Sequence, residues 1–187
     1  MSDEPGYRLE EWRPDSTDER TVAADIDMLA TVLHAVVHTG AGVSFVVPFS
    51  LDEARAFWRE TIFPGVIGAL PTRRVLVARE GPRIVGTVQL VLSMPPNQQH
   101  RAEVIKLLVH PDVRRRGIAR ALMVALETVA RSERRSLLTL DTWTGGPAEN
   151  LYRSLGYIVV GVIPRYARGS VTRDLEPTTI MYKELGP

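Results

Sequence analysis

The stretch Val104–Met123, VIKLLVHPDVRRRGIARALM, decides the fold of this chain. An apolar run stops at His110-Pro111-Asp112, three arginines and Gly117 follow, and a helical pattern then begins. Strand, tight turn and helix start in that order turn backbone N–H groups outward around Gly117. Positive charge surrounds them, and such an arrangement holds phosphate. A phosphorylated cofactor is therefore expected at Arg114–Arg120. Gly117 lets a pyrophosphate approach backbone that a side chain would shield, and Ala119 is small for the same reason. Leu122, Leu126 and Val129, with Ile118 at their head, form the stripe that packs the helix on a sheet. Arg114, Arg115, Arg116 and Arg120 screen phosphate charge. On spacing alone a second possibility stands beside this one, a solvated basic turn ahead of an ordinary surface helix. The nucleotide pattern G-x-x-x-x-G-K-[ST] and the dinucleotide pattern G-x-G-x-x-G are both absent.

Upstream of the turn, Ala102–Val109 predicts a strand, and Arg74–Arg79 with Ile84–Leu92 predict a hairpin closed by Glu80-Gly81-Pro82. Further back, Tyr7–Trp12 alternates as a short first strand. Thr21–His38 carries Val22, Ile26, Leu29, Leu33, Val36 and Val37 at helical spacing and stops at Gly40-Ala41-Gly42. Ser50 and Glu53 have the capping-box spacing and start a second helix that is expected to run to about Thr61. Downstream, a helix is expected over about Arg116–Ser132, a strand over Leu137–Asp141, and a helix from Gly146-Pro147 to Leu155-Gly156. Tyr157–Ile163 and Thr178–Tyr182 are expected closing strands. Helices, then a hairpin, then strand–helix–strand–helix–strand give a mixed α/β sheet.

A length of 187 residues suits one domain over residues 1–187 with one continuous core. The formal charge of +1 excludes the basic excess of a dedicated nucleic-acid binder. With no cysteine, disulfides, thiolate catalysis and cysteine zinc sites are excluded. His34 and His38 have zinc-ligand spacing but no evident third ligand, so no metal is expected. The opening M-S-D-E-P-G-Y lacks the plan of a secretory signal. No apolar run reaches ~18 residues, so no membrane span is expected, and a cytoplasmic location follows by elimination.

R-R-R-G-I-A at 114–119 fits [Q/R]-x-x-G-x-[G/A], and A-E-N-L-Y-R-S-L-G-Y at 148–157 fits A-x-x-x-Y-x-x-x-G-[F/Y]. By these motifs, their separation and the order of elements, the chain resembles the GNAT superfamily of N-acetyltransferases. The segments G-V-S-F-V-V-P-F, A-x-x-F-W, E-V-I-K-L-L-V, L-D-T, G-V-I-P-R-Y-A and T-T-I-M-Y-K-E-L resemble, more narrowly, the tabtoxin-resistance-type acetyltransferases. The resemblance implies the GNAT fold, a central twisted, mostly antiparallel mixed sheet flanked by about four helices. It also implies direct acetyl transfer from acetyl-CoA to a primary amine, on a small, amino-acid-like toxin or antibiotic by the narrower likeness. Protein N-termini and lysines stay open as acceptors, as does a non-catalytic acyl-CoA sensor. Family members are often homodimers, so a homodimer is expected.

Residue by residue, the resemblance places the pantetheine arm along Leu107, Leu108 and Val109 and the pyrophosphate on the amides of Arg115–Arg120, including Ile118. Tyr152 matches the general-acid tyrosine, and the alternative is a tyrosine packed between helix and sheet. Glu103 lies fourteen residues before Gly117, as the general-base glutamate does in histone-acetylating relatives. Strand alternation sets it on one face with Ile105, Leu107 and Val109, an apolar setting that raises a carboxyl pKa, with Lys106 on the other face. A surface or ion-paired glutamate is the alternative. Asp141 is a second candidate, for acceptor binding or for base work through water, or else caps a turn with Thr142. Tyr166 is a candidate to line the acceptor site, or else lies in a surface loop. Gly145 stands where many relatives carry an asparagine, so that cofactor contact is not carried over.

Overall fold

In a computed structural model of the protein, residues 6–186 are described. Residues 1–5, part of the opening segment considered above, lie outside that range.

Helix α1 (Glu19–His38) begins where the Asp18 side chain accepts the Thr21 amide. Its apolar stripe turns inward as expected, and Asp25 among it is buried because Trp12 Nε1 donates to it at 2.9 Å and Arg79 pairs with it at 2.8 Å. By length and composition α1 is apolar enough to cross a membrane, yet Ile26, Leu29, Leu33 and Val37 are buried in the fold, as in a core helix. The Ser50–Glu53 capping box forms in both directions and opens α2 (Leu51–Ala56). The expected helix to Thr61 instead widens into a π turn over Phe57–Ile62 and tightens into a 3-10 turn over Phe63–Gly65. Pro64 has no N–H to continue the ladder.

The strands are β1 (Arg8–Glu11), β2 (Arg73–Glu80), β3 (Arg83–Val91), β4 (Arg101–Val109), β5 (Leu137–Trp143), β6 (Ile158–Arg168) and β7 (Leu175–Glu184). They form one seven-stranded sheet in the order β1-β2-β3-β4-β5-β7-β6. Every pairing is antiparallel except β4 with β5. The architecture is the mixed, mostly antiparallel sheet that the sequence implied. Helices α3 (Ile118–Ser132) and α4 (Pro147–Ser154) contribute Ile118, Leu122, Leu126 and Tyr152 to the core cluster on one face. α1 and α2 cover the other face with Ile26, Leu29, Ala54 and the π-turn Trp58.

Three expectations need correction. β5 does not stop at Asp141 but pairs with β7 as far as Trp143, so Asp141 and Thr142 are strand residues and not a turn cap. β6 does not stop at Ile163; it passes through an irregular Pro164–Tyr166 and resumes pairing at Ala167. A proline is tolerated there because β6 is an edge strand. The alternation expected for β4 holds only as far as Ile105. Lys106 adopts φ +52°, and the register with β3 shifts between Gln89↔Ile105 and Thr87↔Leu108. This bulge inserts one residue and exchanges the faces beyond it. Ala102 and Val104 join the α3–α4 cluster, and after the bulge Leu107 and Val109 pack there too, whereas Leu108 joins the α1–α2 cluster. Lys106 thus shares the layer of Glu103, and Leu107 and Val109 do not.

Candidate active site

The sheet forks where β4 leaves β5. Parallel pairing is confined to Arg101↔Leu137, Ala102↔Leu138 and Glu103↔Thr139. From Val104 to Val109 the side of β4 facing β5 is unpaired in the register. That opening, with Leu107–Val109 along one wall, is where backbone groups are free to bond an extended arm.

Beyond Val109 the chain makes a short 3-10 turn at Pro111–Val113 and enters the arginine segment. Arg115 and Gly117 both have positive φ, at 66° and 79°. Gly117 caps α3 with no side chain, and the amides of Arg115, Arg116, Gly117, Ile118, Ala119 and Arg120 have no acceptor among the described residues. Six unpartnered donors in a row, at the positive end of a fifteen-residue helix, are free to bond an anionic group such as a diphosphate. A β-carbon on Gly117 would meet only the Tyr7 hydroxyl, at 3.9 Å. The residues present therefore fit the group expected from the sequence.

The four arginines divide. Arg116 is ion-paired with Glu80 at 2.7 Å, Arg120 donates to Ser154 Oγ at 2.6 Å, and Arg114 donates to Thr39 Oγ1 at 3.0 Å. Arg115 has no side-chain partner among the described residues and is exposed. Free charge for a phosphate thus comes first from Arg115, while Arg120 ties the start of α3 to α4.

α4 begins with Pro147 after Gly146 and ends beside Gly156, whose φ of +86° closes the helix. Tyr152 lies in its last turn and is only 6% exposed. Burial and the charge of Asp141 both push its phenol pKa well above the ordinary value, so it is protonated throughout the neutral range. Its hydroxyl has no hydrogen-bond partner among the described residues. Its ring lies 5.7 Å from that of Tyr157.

Asp141 is exposed, and its Oδ2 accepts the Thr178 hydroxyl at 3.0 Å. Its charge reaches two sites, raising the Tyr152 pKa and opposing the desolvation that lowers that of Lys106. Glu103 is half-buried, next to Thr139 across the parallel pairing, with no ion pair among the described residues. Its surroundings are not the apolar face expected, because the bulge substitutes Lys106 for Leu107 in its layer. Tyr166 is 52% exposed in the irregular part of β6, and no hydrogen bond links it to Glu103, Asp141 or Tyr152. Among the described residues no group of three or more His, Asp or Glu side chains converges as a metal site would require.

Two site residues escaped the sequence reading. Glu149 is buried and accepts the Gly145 amide at 2.7 Å, the Arg153 guanidinium at 2.7 Å and the Thr179 hydroxyl at 3.3 Å. Those bonds hold its pKa below the ordinary glutamate range, the Gly145 amide contributing most. The bond fixes the turn at Gly145. Its signal was present, an acidic residue three positions after the helix cap. Lys106 is the other, and only the bulge reveals its side.

Residues 43–157 match the family model described as Acetyltransferase (GNAT) family. The chain belongs to this family. GNAT proteins are N-acetyltransferases. An uncharacterized N-acetyltransferase from the hisH-hisA intergenic region of Azospirillum brasilense is 32% identical over 119 residues, covering 63% of this chain and 67% of that protein. Solved structures agree in fold. A GCN5-related N-acetyltransferase from Kribbella flavida has a TM-score of 0.73 at 19% identity, covering 96% of this chain and 98% of that one. YncA, a putative acetyltransferase from Salmonella typhimurium solved with its cofactor acetyl-CoA, has a TM-score of 0.68 at 21% identity, covering 97% and 95%.

Proposed function

We propose that this chain, as a single domain, binds acetyl-CoA and moves its acetyl group to a primary amine of a small molecule within a ternary complex. The observation that carries this is the continuity of the β4–β5 fork with the six free amides at Arg115–Arg120. All seven strands from Arg8 to Glu184 join one sheet, which supports a single domain.

Acetyl-CoA supplies the activated thioester. The amides of Arg115–Arg120 bind its diphosphate, with Arg115 adding charge, and the open side of β4 at Leu107–Val109 orients its arm. Holding two substrates in one geometry is itself a large part of the rate. The acceptor approaches on the layer of Glu103 and Asp141, whose carboxylates attract an ammonium and pass its proton to water. Tyr152 donates a hydrogen bond to the departing sulfur. A phenol held above its ordinary pKa is a weaker acid than a thiol, so this bond stabilises the thiolate without emptying the phenol.

Strand β6 supports a homodimer. It is the edge of the sheet, and Ile158, Val160 and Val162 on it are each more than half exposed. The run Ile158–Pro164 carries no charge to block pairing with a second copy.

A thiol-release assay over L-amino acids, aliphatic diamines and a short alanine-first peptide tests the reaction. Turnover of a free amine above the rate with the peptide is the expected result. Peptide-selective turnover, or acetyl-CoA binding with no turnover across the panel, overturns the small-molecule assignment.

A further inference from the structure

Lys106 holds a position that ordinary strand geometry denies it. With regular alternation its side chain would enter the cluster beneath α3. The bulge turns it over, at the cost of a left-handed backbone that L-residues other than glycine avoid. There its Nζ donates to the Val43 carbonyl and to Ser44 Oγ, both at 2.9 Å. The rings of Phe45 and Phe57 stand 5.4 Å and 5.9 Å away, within cation–π reach. Ser44, its partner, is also left-handed, at φ +75°.

The segment that Lys106 grips lies over the fork. Gly42 passes so close to β5 that a β-carbon there would sit 3.6 Å from that of Trp143. Two residues on, the same segment is fastened to β4 by Lys106. It therefore spans from one arm of the fork to the other on the layer of Glu103 and Asp141. Further along it is tied to the β6–β7 connection, where the Val47 amide donates to Ser170 O at 2.9 Å and Arg173 donates to Val47 O at 2.7 Å. Lys106 is the tie at the open end.

We propose that Lys106 is a positioning residue for the acceptor, latching the Gly42–Phe45 segment across the β4–β5 fork so that it walls the amine's side of the site. This rests on the acetyl-transfer function proposed above. The ammonium acts through the segment and does not touch the reacting atoms. Hydrogen bonds from a desolvated charge to two oxygens, between two aromatic faces, hold the segment more firmly than neutral contacts would.

The test compares the parent with Lys106→Met, which keeps the length and loses the charge, and with Lys106→Arg, which keeps the charge. In Lys106→Met, amide exchange over residues 42–47 is expected to accelerate about tenfold while α3 and the central strands keep parent protection. Calorimetric affinity for coenzyme A stays at the parent value. With the best amine of the panel, KM rises about tenfold and kcat stays within about twofold. Lys106→Arg recovers most of both effects. Unchanged exchange at 42–47 overturns the proposal, as does loss of protection throughout the chain, or a fall in kcat at constant KM. If no panel amine turns over, the acetyl-transfer assignment fails while local exchange still decides the latch.

Discussion

Glu149 accepts the amide of Gly145 at 2.7 Å while its other oxygen holds Arg153. One buried carboxylate thereby fixes the left-handed turn that launches α4, and α4 presents Tyr152. Replacing Glu149 with alanine leaves the Gly145 amide and the Thr179 hydroxyl without this partner. A stability loss of about 2 kcal/mol is expected, read as a lower urea midpoint at unchanged m-value. Activity falls as well, because the turn and Tyr152 move together. The pH dependence has a definite sign. Glu149 has a lowered pKa when folded, so its contribution is present above the ordinary glutamate pKa of about 4.3 and fades as pH falls through the folded value. The gap between parent and Glu149→Ala should therefore narrow below about pH 4.

Tyr152→Phe removes one hydroxyl that has no partner among the described residues, so its melting temperature should stay near the parent's. Turnover should fall about 10²-fold or more if the hydroxyl serves the departing sulfur. Because the phenol pKa is raised, ionisation of Tyr152 should cause no loss of activity below about pH 10. Its linkage to stability runs the same way, present below the unfolded pKa near 10 and lost as pH rises through the folded value. An alkaline limb centred near pH 8 that disappears in Tyr152→Phe would contradict this.

The arginines of the turn should not be equivalent. Arg115→Ala should weaken coenzyme A binding about three- to tenfold and reduce its salt dependence, since this side chain has no competing partner. Arg116→Ala breaks a half-exposed pair with Glu80, worth about 0–1 kcal/mol, and should leave the affinity within about twofold. Calorimetry at two salt concentrations distinguishes them. Equal effects would mean that Arg116 leaves Glu80 for the ligand.

Val160→Lys places a charge on the exposed edge strand β6. It should shift the sedimentation of the protein from dimer to monomer with little change in melting temperature, because Val160 is 66% exposed in the single chain. A parent that sediments as a monomer, or a variant that stays dimeric, removes β6 from the interface.

Features set by neighbours in sequence were legible. The α1 stripe, the Ser50–Glu53 box and the glycine that closes α4 each depend on residues within a few positions, and each formed as expected. Features set by pairing with distant strands were not. Nothing local to Lys106 announces a left-handed residue, because the bulge arises from registering β4 against β3. For the same reason the sequence put Lys106 on the wrong side relative to Glu103. Asp141 reads as a strand end in the sequence, and only the partner β7 shows the strand carried on to Trp143. The arginine turn was legible as a whole, but the capture of Arg116 by Glu80 and of Arg120 by Ser154 depends on residues brought up by the fold.

The central claim is that backbone amides around Gly117 grip the diphosphate of coenzyme A. Titrating coenzyme A into nitrogen-15-labelled protein tests it most directly. The account predicts that the amide resonances of Arg115 through Arg120 shift together and saturate at one equivalent, with smaller shifts along Leu107–Val109. Saturable binding that leaves those six resonances in place would contradict it.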